Sequence, residues 1–197
     1  MPKIRVNADA FLWAAILLVF VPIRWIMAAT AAAAVHELGH LAGILLLRCR
    51  IHEISLSPRG AVIHTDPLPP GKELLAALAG PTAGLTLLTL SESIPLAAFC
   101  AAVQSIYNLL PVYPSDGGRA LYCAAALLRG EAFAGKLRLV AGTVTGCLLL
   151  GSVFILTVRF RLGLMPLILL FPMAKGLLPE KYLAKQAIRG YNKGYHI

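Results

Sequence analysis

Residues 10–47 read AFLWAAILLVFVPIRWIMAATAAAAVHELGHLAGILLL, and three ionisable side chains, His36, Glu37 and His40, lie deep inside this apolar run. As one helix it would be about 57 Å long at 1.5 Å per residue, nearly twice the hydrocarbon thickness of a bilayer. It must therefore be split, and Pro22 with Arg24 marks the turn. The first segment runs near Ala10 to Val21 and the second near Trp25 to Leu47. Being short, the first segment tilts, thins the bilayer, or continues to Met27 with Arg24 snorkelling. A cleaved secretory signal is disfavoured, because the apolar run resumes at once after the small residues Ala28 to Ala31.

The rest of the chain sets the same solvent. Of 197 residues 58% are hydrophobic and 14% charged, against roughly 25% charged in soluble domains, which makes this an integral membrane protein. Asp9, Glu53, Asp66, Glu73, Glu92, Glu131 and Glu180 stand between or at the ends of apolar runs, where they stay hydrated. Glu37 and Asp116 are the exceptions. The net charge of +9 does not indicate a nucleic-acid partner, since the basic residues flank apolar segments and orient them. Cys49, Cys100, Cys123 and Cys147 form no metal-type pair and count as small apolar residues.

Further apolar runs at Leu74 to Leu90, Pro95 to Val112, Leu139 to Val158 and Leu162 to Leu178 predict an all-α polytopic membrane protein of about six transmembrane helices. Between the second and third spans, Ile51 to Ser57 and Ala61 to Thr65 flank the turn signal Pro58-Arg59-Gly60 and predict a small β-hairpin. Arg48, Arg50, Arg59, Lys72, Arg119, Arg129, Lys136 and Arg138 fall on one side with the N-terminal Lys3 and Arg5 and the basic tail. That bias puts both termini and the hairpin in the cytosol; only Arg159 and Arg161 argue against it. The expected organisation is a single domain over 1–197, with a catalytic core of about 25–130. Its tail, about 179–197, has lysines and arginines interspersed with tyrosines and suits an interfacial helix on anionic lipid.

Chemistry concentrates at His36-Glu37-Leu38-Gly39-His40. His36 and His40 are i and i+4, so both project from one helix face, with Glu37 beside them in the H-E-x-x-H zinc-hydrolase arrangement. Hydrolytic zinc sites usually have three protein ligands and one open position, so a third is needed. Asn108-Leu109-Leu110-Pro111-Val112-Tyr113-Pro114-Ser115-Asp116-Gly117-Gly118 supplies Asp116. Its prolines interrupt the fourth helix and its glycines permit a tight turn, and irregular backbone at membrane depth belongs in buried or watery surroundings. One Zn²⁺, two neutral imidazoles, one carboxylate and a hydroxide sum to zero charge, which a low-dielectric site tolerates. Glu37 would then serve as general base and acid.

On H-E-L-G-H and the N-x-x-P-x-x-P-x-D-G-G pattern, the chain resembles the site-2 proteases, zinc intramembrane metalloproteases, over roughly residues 10 to 130. It is most similar to the compact sporulation-type branch that cleaves a membrane-associated pro-sigma factor. The resemblance implies one zinc held by His36, His40 and Asp116, Glu37 as catalytic base, and Asn108 as a catalytic-site group positioning substrate or its oxyanion. It also implies a cytosol-proximal site, a membrane-tethered protein substrate, and a hairpin edge that adds an extended substrate strand. Ala79-Gly80-Pro81 matches a further family motif, but Gly84 stands where many members carry Asn. A regulatory membrane partner and a bacterial cytoplasmic membrane complete the expectation; oligomeric state is left open.

Plainer readings accompany the other polar residues. Helix packing through the amide competes with the substrate role of Asn108. Gly80 and Gly84 fit a small-xxx-small packing face, Gln104 and Ser105 interhelical hydrogen bonds, and His52 and His64 an ordinary surface. Arg119 either meets lipid phosphate or orients Asp116. The competing functions are a non-proteolytic zinc-binding scaffold, which has no need of Glu37, and a metal transporter, which needs ligands spread across several spans.

Overall fold

The structure is a computed structural model that describes residues 3–6, 15, 17–57 and 60–159. Half of the first apolar segment (residues 10–14 and 16), the sixth at Leu162 to Leu178 and the tail from 179 lie outside the described residues.

Proline places the first break where expected. Residues 17–20 are helical, the Val21 amide bonds the Leu17 carbonyl at 2.8 Å, and Pro22 turns extended with ψ 136°. Helix α1 (Ile23–Leu46) follows, its 24 residues spanning about 36 Å. Its C-terminal carbonyls are capped by the Arg48 and Cys49 amides and by the Lys72 ammonium, which donates to the Leu47 carbonyl at 3.1 Å. The chain then forms the expected antiparallel hairpin of β2 (Ile51–Ser57) and β3 (Gly60–Thr65). A third strand, β1 (Lys3–Val6), pairs parallel with β2 from Lys3 opposite Glu53 to Val6 opposite Leu56, in the order β1-β2-β3. Four residues without a turn signal carry no strand pattern of their own; pairing with β2 makes them one.

Helix α2 (Pro70–Thr86) runs on as a 3₁₀ turn to Leu90, and a bend leads into α3 (Pro95–Asn108). After an irregular loop come α4 (Asp116–Arg129) and α5 (Glu131–Arg159). Among the described residues, three helical segments, Ile23–Leu46, Pro70–Leu90 and Glu131–Arg159, are long and apolar enough to cross a bilayer, and the chain is a mostly helical integral membrane protein. The fourth expected span is shorter than its apolar run: α3 stops at Asn108 after 14 residues, about 21 Å, ahead of Pro111 and Pro114. The tight turn expected after Asp116 instead precedes it. Gly117 and Gly118 are helical, and a Cβ on Gly117 would strike the Leu109 carbonyl. Glycine serves close approach there.

The core is built from small residues. Along α1 the buried side chains are Ala28, Ala32, His36, His40 and Ile44, a stripe repeating every fourth residue. Facing it on α2 are Ala76, Ala77, Gly80, Pro81 and Gly84, while α3 contributes Ala98, Ala101 and Ser105. Large apolar side chains such as Leu38, Leu46, Phe99, Ile106, Leu148 and Phe154 point outward. That inversion suits lipid, where close backbone approach rather than water exclusion drives helix association. A Cβ at Gly39 would lie 2.5 Å from the Ala83 Cβ and 2.6 Å from the Ala79 carbonyl oxygen.

Gly39→Ala should therefore force α1 and α2 apart and destabilise the protein by about 1–3 kcal/mol. Gly142→Ala on α5, where a Cβ meets nothing within 4 Å, should leave the melting temperature in detergent unchanged or raised. Equal melting temperatures for the two variants would contradict the packing described.

Candidate metal centre

Spacing along α1 brings the two imidazoles together one turn apart, their centroids 4.8 Å from each other and their planes at 81°. Their Nε2 atoms are 3.2 Å apart, and the Asp116 Oδ2 atom lies 3.1 Å from each. His36, His40 and Asp116 are 3%, 9% and 7% exposed, so this triangle of ligand-type atoms is buried. Bonds of 2.0–2.1 Å at tetrahedral angles put ligand atoms about 3.3 Å apart, close to the triangle observed. The donor set fits zinc and leaves a fourth position for a non-protein ligand. Among the described residues, these are the His, Cys, Asp and Glu side chains grouped closely enough to hold a metal.

Asp116 reaches the histidines because the loop before it folds on itself. Ser115 Oγ lies 2.5 Å from the Val112 carbonyl and 2.6 Å from that of Leu110, donating its single proton between them, and it accepts the Gly118 amide at 3.4 Å as the N-cap of α4. The Tyr113-Pro114 peptide within the loop is cis. Asp116 thus sits in the first turn of α4, where the helix dipole favours a carboxylate. Its second oxygen, Oδ1, accepts from Arg119 Nη1 at 3.4 Å, while Arg119 Nε and Nη2 donate to Glu73 Oε1 on α2 at 3.0 and 2.6 Å. Arg119 therefore orients Asp116. The Arg119 guanidinium offsets part of the cost of burying a charged carboxylate.

To hold a metal here, each imidazole would offer its Nε2 lone pair to the centre and carry its proton on Nδ1. His40 Nδ1 donates to the Ala76 carbonyl at 2.8 Å, and Gly80 lets the ring lie against the α2 backbone, since a Cβ there would collide with the imidazole. The Nδ1 atom of His36 is buried without a partner among the described residues. Glu37 is half-buried next to His36, and Asn108 closes α3 one turn beyond Ser105, also half-buried. His40 lies six residues from the end of α1, about 9 Å below the end that carries the sheet.

His52 pairs with Asp66 at 2.8 Å and His64 with Ser55 Oγ at 3.4 Å, both on the exposed sheet and not at the centre. Two contributors are not legible in the sequence. Glu73 reads as a hydrated helix-end acid, and nothing local links it to Arg119, 46 residues away. The Ala76 carbonyl is a backbone group that no side-chain pattern marks.

No protein-family model matches the chain. It is 33% identical over 100 residues to Zinc metalloprotease MJ0392 of Methanocaldococcus jannaschii, a match covering 44% of this chain and 30% of that protein. The chain thus spans under a third of the length of that relative. In three dimensions it is similar to the Site-2 Protease from Methanocaldococcus jannaschii, with a TM-score of 0.63, 21% identity and 88% of each chain covered. The chain is thus similar in sequence to part of a zinc metalloprotease and in fold to a site-2 protease, and it buries His36, His40 and Asp116 together.

Proposed function

We propose that this protein is a zinc-dependent intramembrane endopeptidase that hydrolyses a peptide bond in or near a transmembrane or membrane-associated segment of a protein substrate. The observation that carries the proposal is the buried triangle of His36 Nε2, His40 Nε2 and Asp116 Oδ2, with Glu37 adjoining it on the same helix. The three residues would hold one zinc per chain. Bound zinc supplies Lewis acidity that activates water and polarises a carbonyl. Glu37 takes the proton from the attacking water and delivers it to the leaving amine. Asn108, at the end of α3, orients the substrate carbonyl. Arg119 and Glu73 keep Asp116 aimed at the histidines.

The substrate is a membrane-tethered protein, in the manner of the sporulation-type branch, and its segment must be extended to be cut. With β1 along one edge of β2, the outer edge of β3 is unpaired among the described strands and suits addition of a substrate strand. Basic residues bias both termini and the sheet toward the cytosol of a bacterial cytoplasmic membrane, with about six helices in all. A regulatory membrane protein would control access. A transporter would need ligands along a path, whereas among the described residues they converge at one depth; a scaffold would not need Glu37.

Glu37→Gln should retain zinc at the wild-type stoichiometry while cleavage of a membrane-tethered reporter falls by about 10²–10⁴-fold. Full proteolysis by this variant would remove Glu37 from the mechanism. Asp116→Asn should lose zinc during dialysis against a chelator that leaves the wild type loaded, as read by metal analysis. Equal zinc retention would remove Asp116 from the ligand set.

A further inference from the structure

Two buried polar atoms beside the centre lack partners among the described residues, and they border the same spot. One is His36 Nδ1; the other is Ser105 Oγ on α3, whose residue is 0% exposed. Between them lies Gly84: a Cβ built there would be 2.5 Å from Ser105 Oγ and 3.8 Å from His36 Nδ1. Helical hydroxyls elsewhere return to their own backbone. Thr82, Thr86, Thr143 and Ser152 donate to carbonyls three or four residues back at 2.7–2.9 Å. Ser105 does not. A buried hydroxyl that forgoes this bond and a buried imidazole N–H without an acceptor are each destabilising unless they satisfy one another.

We propose that Ser105 is a positioning residue for the metal centre. Its hydroxyl accepts the His36 Nδ1 proton, after a rotation of the Ser105 side chain or across one intervening water, and so fixes the tautomer that presents Nε2 to the zinc. It does for His36 what the Ala76 carbonyl does for His40. Gly84 makes the arrangement possible, since a side chain there would displace the hydroxyl. The role rests on the zinc site proposed above.

The test uses the full-length protein in detergent, with zinc affinity measured by competition against a chromophoric chelator and ligand geometry by the d–d absorption of the Co²⁺-loaded form. Ser105→Ala should weaken zinc binding by about 10–100-fold and alter the cobalt spectrum. Ser105→Thr keeps a hydroxyl on α3, and the double variant Ser105→Ala with Gly84→Ser returns one from α2. Recovery of affinity and spectrum in either supports the proposal. Wild-type affinity and spectrum in Ser105→Ala, even with a lower melting temperature, would assign Ser105 to packing and overturn it. So would a loss that neither hydroxyl-restoring variant recovers. A wild type that fails to bind zinc would instead refute the metal site itself, and this role with it.

Discussion

An apolar medium cannot hold isolated charge, and the organisation of this protein follows from satisfying that constraint at one place. Two imidazoles and a carboxylate are buried together, and each polar atom needs a compensating neighbour. The two carboxylate oxygens have separate partners: one faces both histidines, while the other faces a guanidinium that is itself anchored by a second carboxylate. A divalent cation within the triangle, together with one anionic non-protein ligand, would bring the ligand set to neutrality. The centre is thus an electrostatic unit assembled from three helices, not a motif on one.

Helix packing and site geometry draw on the same residues. Gly80 gives the His40 ring its place, and the neighbouring Ala76 carbonyl sets its tautomer. Gly39, one residue before His40, lets the α2 backbone come close to α1. Stability and ligand orientation are therefore coupled through backbone proximity, which only small side chains permit.

The legibility of these features in the sequence follows from the range of the interactions. His36, Glu37 and His40 can be placed on one helix because their relation is local and periodic, and the Pro22 break is equally local. Asp116 can be nominated because prolines and glycines mark an irregular passage in apolar surroundings. Strand β1 cannot be read, since its identity depends on pairing with a segment far along the chain. Nor can α4, whose glycines resemble a turn until the Leu109 carbonyl they accommodate is seen. Glu73 and Arg119 meet only through the packing of α2 on α4. Arg119 has two readings in the sequence, lipid phosphate or Asp116, and tertiary structure decides for Asp116.

The ion-pair chain from Glu73 through Arg119 to Asp116 ties a candidate ligand to the seam between α2 and α4. Any ligand that binds the folded state alone adds to its stability by an amount set by its concentration relative to its dissociation constant, about 2.7 kcal/mol at a hundredfold excess. Metal occupancy and cohesion of that seam are then two measures of one free energy. A protein that bound a metal this way would couple its lifetime in the membrane to the supply of that metal, the metal-free form being also the one most easily pulled apart.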